Sequence, residues 1–454
     1  MATSTTVSHS GQITTDVLVS EYQQQNARSY ELFCRSQSVL PGGNTRTSVF
    51  VNPFPIYIDH ASGVEIVDVD GNRRIDFVNN ASALILGHAH PAIVAALRKA
   101  TEFGTAYFAP TPLEVELAEL LTERIPSIEL LRFCSSGTEA VLGALRTARA
   151  ATGRPMIAKF EGAYHGIDDP ALISYLPAIG PALGPPTRPQ SVPSSAGLAP
   201  GTEEHVVVLP FNDLETCKAL INEYSEHLAA VIVDPLSTGV GLTLPKPGFL
   251  EGLRQITRKL NILLIFDEVV SFRAGYGGAQ GAFGIKPDLT CLAKVVAGGT
   301  PGGAFGGRAD IMALYDPTNG TPAIPQSGTY NGNPLVMSAG LTTLQTMTQS
   351  AYAAIQQRTT KLGQELNCAF EQAGISGCVV TCGSLFQIYF LPLPPSNYRE
   401  AAKDDRDRHR WLYLWLLNHG IITRRGGNVS LPMNDEHINL LVNEAGDALY
   451  KLPH

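Results

Sequence analysis

One lysine of this sequence stands where an amine could act as a nucleophile. Lys294 follows the apolar run Leu289–Ala293, which predicts a short buried strand, and it precedes a glycine-rich segment that predicts a loop. In most proteins a lysine at a strand end is a solvated charge. Desolvation and neighbouring cations, however, lower the pKa of a lysine amine and allow it to form a Schiff base.

Two acidic residues end another predicted strand, upstream of this lysine. Residues 261–266, NILLIF, have the pattern of a buried strand, and Asp267 and Glu268 come directly after it. Open α/β sheets bind their ligands at the carboxyl edge of the strands. A lysine and a carboxylate at that edge are what pyridoxal phosphate chemistry requires. The amine holds the aldehyde, and the carboxylate keeps the pyridine nitrogen protonated.

Three motifs extend this pattern to a known family. FDEV at 266–269, LAKVVAGG at 292–299 and GTYNGNPL at 328–335 resemble class III aminotransferases, in the subgroup of glutamate-1-semialdehyde aminomutase and the β-amino acid (β-phenylalanine) aminotransferases. The resemblance covers the chain from about Ser29 to its last residues. It implies an α/β protein with the fold type I architecture of aspartate aminotransferase, in which a large, mainly parallel sheet is accompanied by a smaller α/β domain.

The order of predicted elements agrees with a sheet of this kind. Strand patterns at 205–211, 229–235 and 262–268 are separated by helical stretches, and such alternation predicts a mainly parallel sheet covered on both faces.

Four regions of the chain are expected. They are a disordered tail over residues 1–18, an N-terminal segment over 19–85 that packs with the small domain, a large pyridoxal-phosphate-binding domain over 86–335, and a C-terminal small domain over 336–454.

A phosphate site is predicted at the start of one helix. The segment SSGT at 135–138 lies between a predicted strand and a predicted helix, where hydroxyls and free backbone N–H groups favour an anion. The family resemblance implies that Ser136, Gly137 and Thr138 bind the cofactor phosphate.

Further cofactor contacts rest on the resemblance alone. It implies that Tyr164 lies over the pyridine ring, where stacking suits a flat aromatic partner. It also places His165 and Val269, which belong to the motifs AYHG and FDEV, at the cofactor. Asp234 stands where relatives usually have glutamate. Ser237 replaces a glutamine of many relatives, and its shorter side chain leaves its role open.

Three arginines are candidates for substrate carboxylates. Arg46 follows a turn in GGNTR, and β-amino acid aminotransferases carry a similar motif with a carboxylate-binding arginine. Arg424 and Arg425 precede a glycine pair on a loop where relatives bind the keto acid. The resemblance does not decide between these two.

The resemblance also implies a homodimer with a shared active site, because Thr329 in GTYNGNPL is expected to reach the cofactor phosphate of the neighbouring subunit. The Pro-, Gly- and Ser-rich stretch over residues 171–204 is a candidate lid.

The composition of the chain argues against several other classes of partner. The 454 residues carry a net charge of −8 with no basic block, which argues against nucleic acid and anionic membranes as partners. Seven cysteines without a CxxC pair argue against disulfides and a zinc site, and His88 and His90 lack further ligands nearby, so no metal is expected. These features favour a cytoplasmic enzyme.

The sequence therefore predicts an aminotransferase that moves an amino group from a β-amino acid or related amine to a keto acid in a ping-pong reaction. The alternative is an intramolecular aminomutase of the glutamate-1-semialdehyde 2,1-aminomutase type. A dinucleotide-binding oxidoreductase is disfavoured because no GxGxxG follows the first parallel strand. A catalytically inactive scaffold is disfavoured because Lys294, Asp267 and the phosphate loop occur together.

Overall fold

The computed structural model describes residues 13–453. Of the tail predicted over residues 1–18, residues 1–12 lie outside the described part of the chain. The prediction is wrong for residues 15–18, which belong to the first helix. The helix is held to the rest of the protein because Leu18 and Tyr22 are buried and the backbone of Ile13 bonds to Lys451. A second helix follows directly, and the two helices meet at Asn26.

The helices of the described chain are α1 (Thr15–Gln25), α2 (Ala27–Ser36), α3 (Asn79–Ser82), α4 (Pro91–Glu102), α5 (Pro112–Arg124), α6 (Gly137–Thr152), α7 (Leu214–Glu223), α8 (Phe249–Lys259), α9 (Gly278–Phe283), α10 (Ala309–Met312), α11 (Pro334–Thr346), α12 (Gln349–Ala373), α13 (Tyr398–Ala401), α14 (Arg406–Asn418) and α15 (Asp435–Lys451).

The strands are β1 (Ile58–Ser62), β2 (Glu65–Asp68), β3 (Arg73–Asp76), β4 (Leu130–Cys134), β5 (Met156–Phe160), β6 (Val206–Leu209), β7 (Leu228–Val233), β8 (Leu263–Asp267), β9 (Leu289–Ala293), β10 (Gly303–Gly307), β11 (Cys378–Cys382), β12 (Leu385–Tyr389), β13 (Ile421–Ile422) and β14 (Gly426–Asn428).

The largest sheet has seven strands in the order β4-β10-β9-β8-β7-β5-β6. All strand pairs are parallel except those of β10, which runs antiparallel to both of its neighbours. Successive residues of one strand enter different cores: Ile157 packs with the α6 side, and Ala158 packs with the side of α7 and α8. Apolar runs that are buried on both faces are typical of parallel sheets. The predicted fold class is confirmed.

Strand β10 corrects the interpretation of the glycine-rich segment after Lys294. Residues Gly303–Gly307 form a buried strand rather than a loop. Its neighbours approach so closely that a Cβ on Gly307 would lie 2.0 Å from the Asp288 carbonyl, and one on Gly306 would lie 2.5 Å from the Leu130 carbonyl. The glycines are therefore required by close strand packing, which composition alone does not reveal.

Two smaller sheets lie outside the large one. The first has the order β1-β2-β3-β13 and joins the N-terminal segment to the C-terminal part of the chain, because Ile421 and Ile422 of β13 pair in parallel with β3. The second is antiparallel, with the order β11-β12-β14, and α12 packs on β11. These contacts support the proposal that residues 19–85 pack with the small domain. Helix α11 packs on α4 and α5, so we propose that the domain boundary lies after this helix and not at residue 335 as predicted from the sequence.

A buried arginine connects these parts of the chain. Arg273 follows β8 and donates hydrogen bonds to the Ser82 carbonyl at 2.9 Å, to the Val429 carbonyl at 2.9 Å and to Ser384 Oγ at 2.7 Å. Burial lowers its pKa to about 10. All three acceptors are neutral, so Arg273 serves to satisfy buried oxygens from three separate segments.

We expect Arg273→Met to reduce the free energy of unfolding by about 3 kcal/mol. The methionine keeps much of the apolar stem but leaves the Ser82 and Val429 carbonyls without a donor, and each buried unsatisfied group costs roughly 1–3 kcal/mol. Urea unfolding of the apoprotein at fixed concentration measures the change. Arg188→Met is the control, because its ion pair with Glu223 is exposed and such pairs contribute roughly 0–1 kcal/mol. Equal stability of the two variants would contradict the assigned role of Arg273.

Candidate active site

Most of the predicted cofactor residues lie at the carboxyl edge of the large sheet. Because β4, β5, β7, β8 and β9 run in the same direction, the residues that follow them emerge at one edge. Lys294 follows β9, and Asp267 is the last residue of β8. The two strands are direct neighbours, with Asp267 paired to Cys291. The structure thus brings the predicted amine and carboxylate together.

Lys294 leaves its strand in an unusual backbone conformation. Its φ is +56°, whereas Ala293 before it is extended. A left-handed conformation is uncommon for a residue with a long side chain and costs of order 1–3 kcal/mol, and such residues occur often at functional sites. The fully buried strand on one side and the buried residues 295–297 on the other hold this turn in place.

The surroundings of Lys294 favour a neutral amine. Burial lowers the pKa of Lys294 to about 8, although the carboxylates of Asp267 and Asp234 oppose this change. No hydrogen bond or ion pair to Nζ is formed by any residue between 13 and 453. A partly desolvated amine without a partner is a nucleophile and a base near neutral pH.

Asp267 is held in one orientation by two donors. Its Oδ2 lies 2.7 Å from Nδ1 of His165, and its Oδ1 accepts a hydrogen bond from the backbone N–H of Val269 at 3.1 Å. His165 comes from the loop after β5 and is buried, and its Nε2 has no partner in the described part of the chain. Asp267 is therefore fixed at the sheet edge by His165 of the AYHG motif and Val269 of the FDEV motif. Both residues were predicted to lie there.

The start of α6 presents unpaired backbone donors. Ser136 is the N-cap, and its Oγ accepts from the N–H of Glu139 at 3.2 Å, while Glu139 Oε2 accepts from the N–H of Ser135 at 2.9 Å. The N–H groups of Gly137 and Thr138 have no acceptor among the residues that the structure describes. Free N–H groups at a helix N-terminus are suited to bind a phosphate.

Close packing aligns this helix start with the other motifs. A Cβ on Gly137 would lie 3.0 Å from a methyl group of Val269, and one on Gly166 would lie 2.8 Å from Thr138 Oγ1. Gly166 also has a φ of +94°. The SSGT, FDEV and AYHG segments therefore form one packed unit.

The ring of Tyr164 is half exposed at this edge. It packs against Tyr175 with ring centroids 5.0 Å apart and an interplanar angle of 55°. Gly239 approaches its backbone so closely that a Cβ there would lie 2.8 Å from the Tyr164 nitrogen. One aromatic side chain is thus available for stacking, as the prediction requires.

Asp234 adds a second carboxylate that the sequence analysis noted but did not assign to the site. It follows β7, is buried, and accepts from the N–H groups of Leu236 at 3.1 Å and Thr238 at 2.8 Å. Burial raises its pKa, and the nearby Asp267 raises it further. Ser237 next to it has a φ of +44°, and its side chain makes no hydrogen bond in the described chain.

The arginine loops predicted for substrate binding approach each other. Arg46 is exposed and donates from Nη1 to Asn80 Oδ1 at 2.9 Å. Arg424 donates from Nη2 to the carbonyl of Ser48, two residues after Arg46. The side chain of Arg425 makes no hydrogen bond within residues 13–453. Sequence reasoning missed Asn80, for which the Asn-Asn pair at 79–80 was the available signal.

Thr329 lies on an exposed loop that contacts the phosphate segment of its own chain. Asn331 Oδ1 on this loop lies 3.4 Å from Ser135 Oγ, and Asn333 Nδ2 donates to the Thr105 carbonyl at 2.8 Å. The predicted contact of Thr329 with a neighbouring subunit stays a prediction.

The candidate lid over residues 171–204 is tied to the rest of the chain. Lys159 is fully buried and donates from Nζ to the carbonyls of Ala171 at 2.7 Å and Ile173 at 2.5 Å. Arg399 binds both carboxylate oxygens of Glu161 and also donates to the Gly184 carbonyl at 2.8 Å. Opening of this segment would break the hydrogen bonds to the carbonyls of Ala171, Ile173 and Gly184, and its role as a lid stays a prediction.

Comparison with known proteins agrees with this geometry. Residues 47–429 match the family model of aminotransferase class-III. A glutamate-1-semialdehyde 2,1-aminomutase of Desulforudis audaxviator is 41% identical over 91% of this chain and 95% of its own length.

Solved structures agree as well. An ω-transaminase from Sphaerobacter thermophilus superposes with a TM-score of 0.92 at 41% identity, covering 95% of this chain and 99% of that one. A β-phenylalanine aminotransferase from Variovorax paradoxus does so with a TM-score of 0.86 at 34% identity, covering 95% and 96%.

The chain belongs to the class III aminotransferases. The family predicted from its motifs is confirmed, and with it a pyridoxal-phosphate-dependent enzyme.

The residues present in this class III aminotransferase fit pyridoxal phosphate. Lys294 offers an unpaired amine for the aldehyde, Asp267 a fixed carboxylate for the pyridine nitrogen, and Gly137 and Thr138 free N–H groups for the phosphate. When bound there, the cofactor supplies an electron sink for the carbon next to the substrate amine. The buried and unpaired Nε2 of His165 is a further polar atom at this edge.

The pKa of Lys294 can be tested in the apoenzyme. We expect its rate of modification by trinitrobenzenesulfonate, followed by peptide mass spectrometry, to reach half its maximum near pH 8, because burial disfavours the ammonium form. The exposed Lys246, followed in the same digest, is the reference lysine. Asp267→Asn should lower the midpoint for Lys294 further, because the carboxylate stabilises the ammonium. Equal midpoints for the two lysines would show that Lys294 is solvated.

Proposed function

We propose that this enzyme transfers an amino group from a β-amino acid or a related amine to a keto acid in a ping-pong reaction. The observation that carries the proposal is the pairing of Lys294, with its lowered pKa, and the fixed Asp267 on adjacent strand ends. Lys294 and Asp267 are the proposed catalytic residues. Membership of the class III aminotransferases supports the reaction type.

Each catalytic side chain has a task that follows from its surroundings. Lys294 would hold the cofactor through its amine and, once that amine is free, would accept and return the proton of the substrate carbon at Nζ. A pKa of about 8 suits a group that must accept and release a proton near neutral pH. Asp267 would lie opposite the pyridine nitrogen, and His165 and the Val269 N–H hold its two carboxylate oxygens in place.

The other proposed cofactor residues hold the cofactor in position. Ser136, Gly137 and Thr138 hold the phosphate at the start of α6, and Tyr164 covers one face of the ring. Since the phosphate segment and the FDEV segment pack directly on each other, the groups that would bind the phosphate and the pyridine nitrogen are held in a fixed arrangement.

The substrate class is inferred from the arginines. Arg46 binds the carboxylate of the amino donor, and Arg424 or Arg425 binds the keto acid. The solved β-phenylalanine aminotransferase, at 34% identity, supports a β-amino acid donor. All three arginines are exposed. The side-chain hydrogen bonds that Arg46 and Arg424 make within the described chain go to neutral oxygens, so their charges remain available.

An aminomutase reaction is the second candidate. Curated relatives about 40% identical over nine tenths of the chain are named glutamate-1-semialdehyde 2,1-aminomutases. In that case the amino group would return to the same carbon skeleton, and no keto acid would be needed. Dependence on an acceptor therefore separates the two reactions.

We further propose a homodimer in which Thr329 reaches the cofactor phosphate of the partner subunit. Thr329 and Tyr330 are exposed, and Phe103, Tyr107 and the fully exposed Phe108 lie on the neighbouring segment, to which Asn333 is hydrogen-bonded. A set of exposed aromatic residues is typical of a protein interface.

We propose the cytoplasm as the location. All seven cysteines are free thiols in the structure, which suits a reducing compartment. No helix in the described part of the chain is long and apolar enough to cross a membrane.

With 3-amino-3-phenylpropionate as donor and 2-oxoglutarate as acceptor, we expect repeated turnover that produces glutamate, and no turnover beyond one equivalent without acceptor. Lys294→Ala should abolish turnover while the circular dichroism spectrum stays unchanged. Coupled glutamate detection and chromatography of the donor product measure the reaction. Acceptor-independent conversion of glutamate-1-semialdehyde, with no activity on the β-amino acid, would favour the aminomutase instead.

Arg46→Met should lower kcat/KM for the β-amino acid by about 10- to 100-fold, because hydrogen bonds to a charged group contribute roughly 1.5–3 kcal/mol. Arg35→Met is the matched control, since Arg35 is an exposed arginine on the preceding helix α2. An equal response of the two variants would remove Arg46 from the substrate site.

A further inference from the structure

The single turn named α3 (Asn79–Ser82) is left-handed, and this backbone conformation is costly for its sequence. Asn79, Asn80, Ala81 and Ser82 all have positive φ values, of 51°, 49°, 53° and 73°. A left-handed turn costs roughly 1–2 kcal/mol per residue for L-amino acids, and asparagine is among the few residues that tolerate it. Four such residues in succession must be held by their surroundings.

Three separate parts of the chain hold this turn. Asp76 Oδ1 accepts from the N–H of Val78 at 2.7 Å and from the N–H of Asn79 at 3.0 Å. Asn79 Nδ2 donates to the Asn428 carbonyl at 2.8 Å. At the other end of the turn, the buried Arg273 donates to the Ser82 carbonyl. The turn is therefore fixed at its beginning and its end.

The second residue of the turn points its side chain at a proposed substrate residue. Asn80 Oδ1 accepts from Nη1 of Arg46 at 2.9 Å, and both side chains are exposed. Nδ2 of Asn80 has no acceptor within residues 13–453. The amide thus orients the guanidinium with one atom and leaves a donor free beside it.

The neutral charge of Asn80 matters for an anion site. An aspartate here would form an ion pair with Arg46 and neutralise it, whereas an amide oxygen fixes the same guanidinium without cancelling its charge. Arg424 is also oriented by an uncharged acceptor, because it donates a hydrogen bond to the carbonyl of Ser48. Two arginines on adjoining loops are therefore oriented by neutral acceptors and keep their positive charge for a ligand.

We propose that Asn80 is a positioning residue of the carboxylate subsite. Its Oδ1 sets the orientation of Arg46, and its Nδ2 offers a second hydrogen bond to the same carboxylate of a β-amino acid. The strained turn is the rigid support that this orientation needs. This inference rests on the proposed function, in which Arg46 binds the donor carboxylate.

Asn80→Gly and Asn80→Asp are the test variants, because both residues tolerate a φ near +49°. Asn261→Gly is the matched control. Asn261 is also an exposed asparagine with a φ of +52°, but it lies before the amino end of β8, opposite to Asp267. Calorimetric titration of the holoenzymes with 3-phenylpropanoate measures carboxylate binding without any turnover. Steady-state kinetics then compare 3-amino-3-phenylpropionate with 1-phenylethylamine, which lacks a carboxylate.

We expect Asn80→Gly to weaken 3-phenylpropanoate binding and to raise KM for the β-amino acid by about five- to tenfold, the effect of one or two neutral hydrogen bonds. Its kcat should change by less than about twofold, and 1-phenylethylamine kinetics should not change. Asn80→Asp should have a larger effect on both carboxylates, because it neutralises Arg46. Asn261→Gly should match the wild type.

Two results would overturn the inference. One is 3-phenylpropanoate binding that is absent in the wild type or unchanged in both Asn80 variants. The other is an equal loss for 1-phenylethylamine, which would indicate a general structural role. If the wild type binds 3-phenylpropanoate and Asn80→Gly weakens it while no transamination occurs, the proposed reaction fails and the subsite stands.

Discussion

The site depends on the burial of one amine at the end of a parallel strand. Lys294 lies at the end of a fully buried strand and has no ion-pair partner in the described chain, so that its ammonium form is disfavoured. Asp267 on the next strand lies close enough to oppose this shift, but its two oxygens are already bound by His165 and the Val269 N–H. The balance leaves an amine with a pKa of about 8 and a carboxylate whose oxygens are held by other groups. A direct ion pair between the two would have made neither available to a cofactor.

Close packing around this pair makes the geometry rigid. Gly137 permits contact between the phosphate segment and Val269, and Gly303–Gly307 permit β10 to lie between β4 and β9. The positive φ of Lys294 is retained because both flanking segments are buried. Binding of pyridoxal phosphate requires this rigidity, because its phosphate, ring nitrogen and aldehyde must contact three protein groups at the same time.

The substrate side of the site is built differently. Arg46 and Arg424 lie on exposed loops and are oriented by Asn80 and by the Ser48 carbonyl. The turn that carries Asn80 is fixed through Arg273, which also holds the C-terminal part of the chain. In the proposed site, substrate recognition therefore depends on the contacts between the N-terminal segment, the large sheet and the C-terminal part of the chain.

Local sequence patterns were sufficient to predict the strands around Lys294 and Asp267, because apolar runs followed by a polar residue mark the carboxyl edge of a buried sheet. They were insufficient for Gly303–Gly307, because a glycine-rich strand and a glycine-rich loop have the same composition and only the neighbouring strands distinguish them. The helix that begins at Thr15 was missed because its attachment depends on residues distant in the sequence, as in the hydrogen bond from the Ile13 N–H to the Lys451 carbonyl. Asn80 was missed for the same reason, since its role depends on Arg46 and on a turn fixed from three sides.

The central claim is that Lys294 and Asp267 support transfer of an amino group out of the donor. The most direct measurement is the visible absorption of the purified holoenzyme on addition of 3-aminobutyrate or 3-amino-3-phenylpropionate with no keto acid present. We expect the visible band of the lysine-bound cofactor to disappear with release of one equivalent of keto product per site, and 2-oxoglutarate to restore it. A band that stays unchanged with every β-amino acid, while glutamate-1-semialdehyde removes it, would contradict the account.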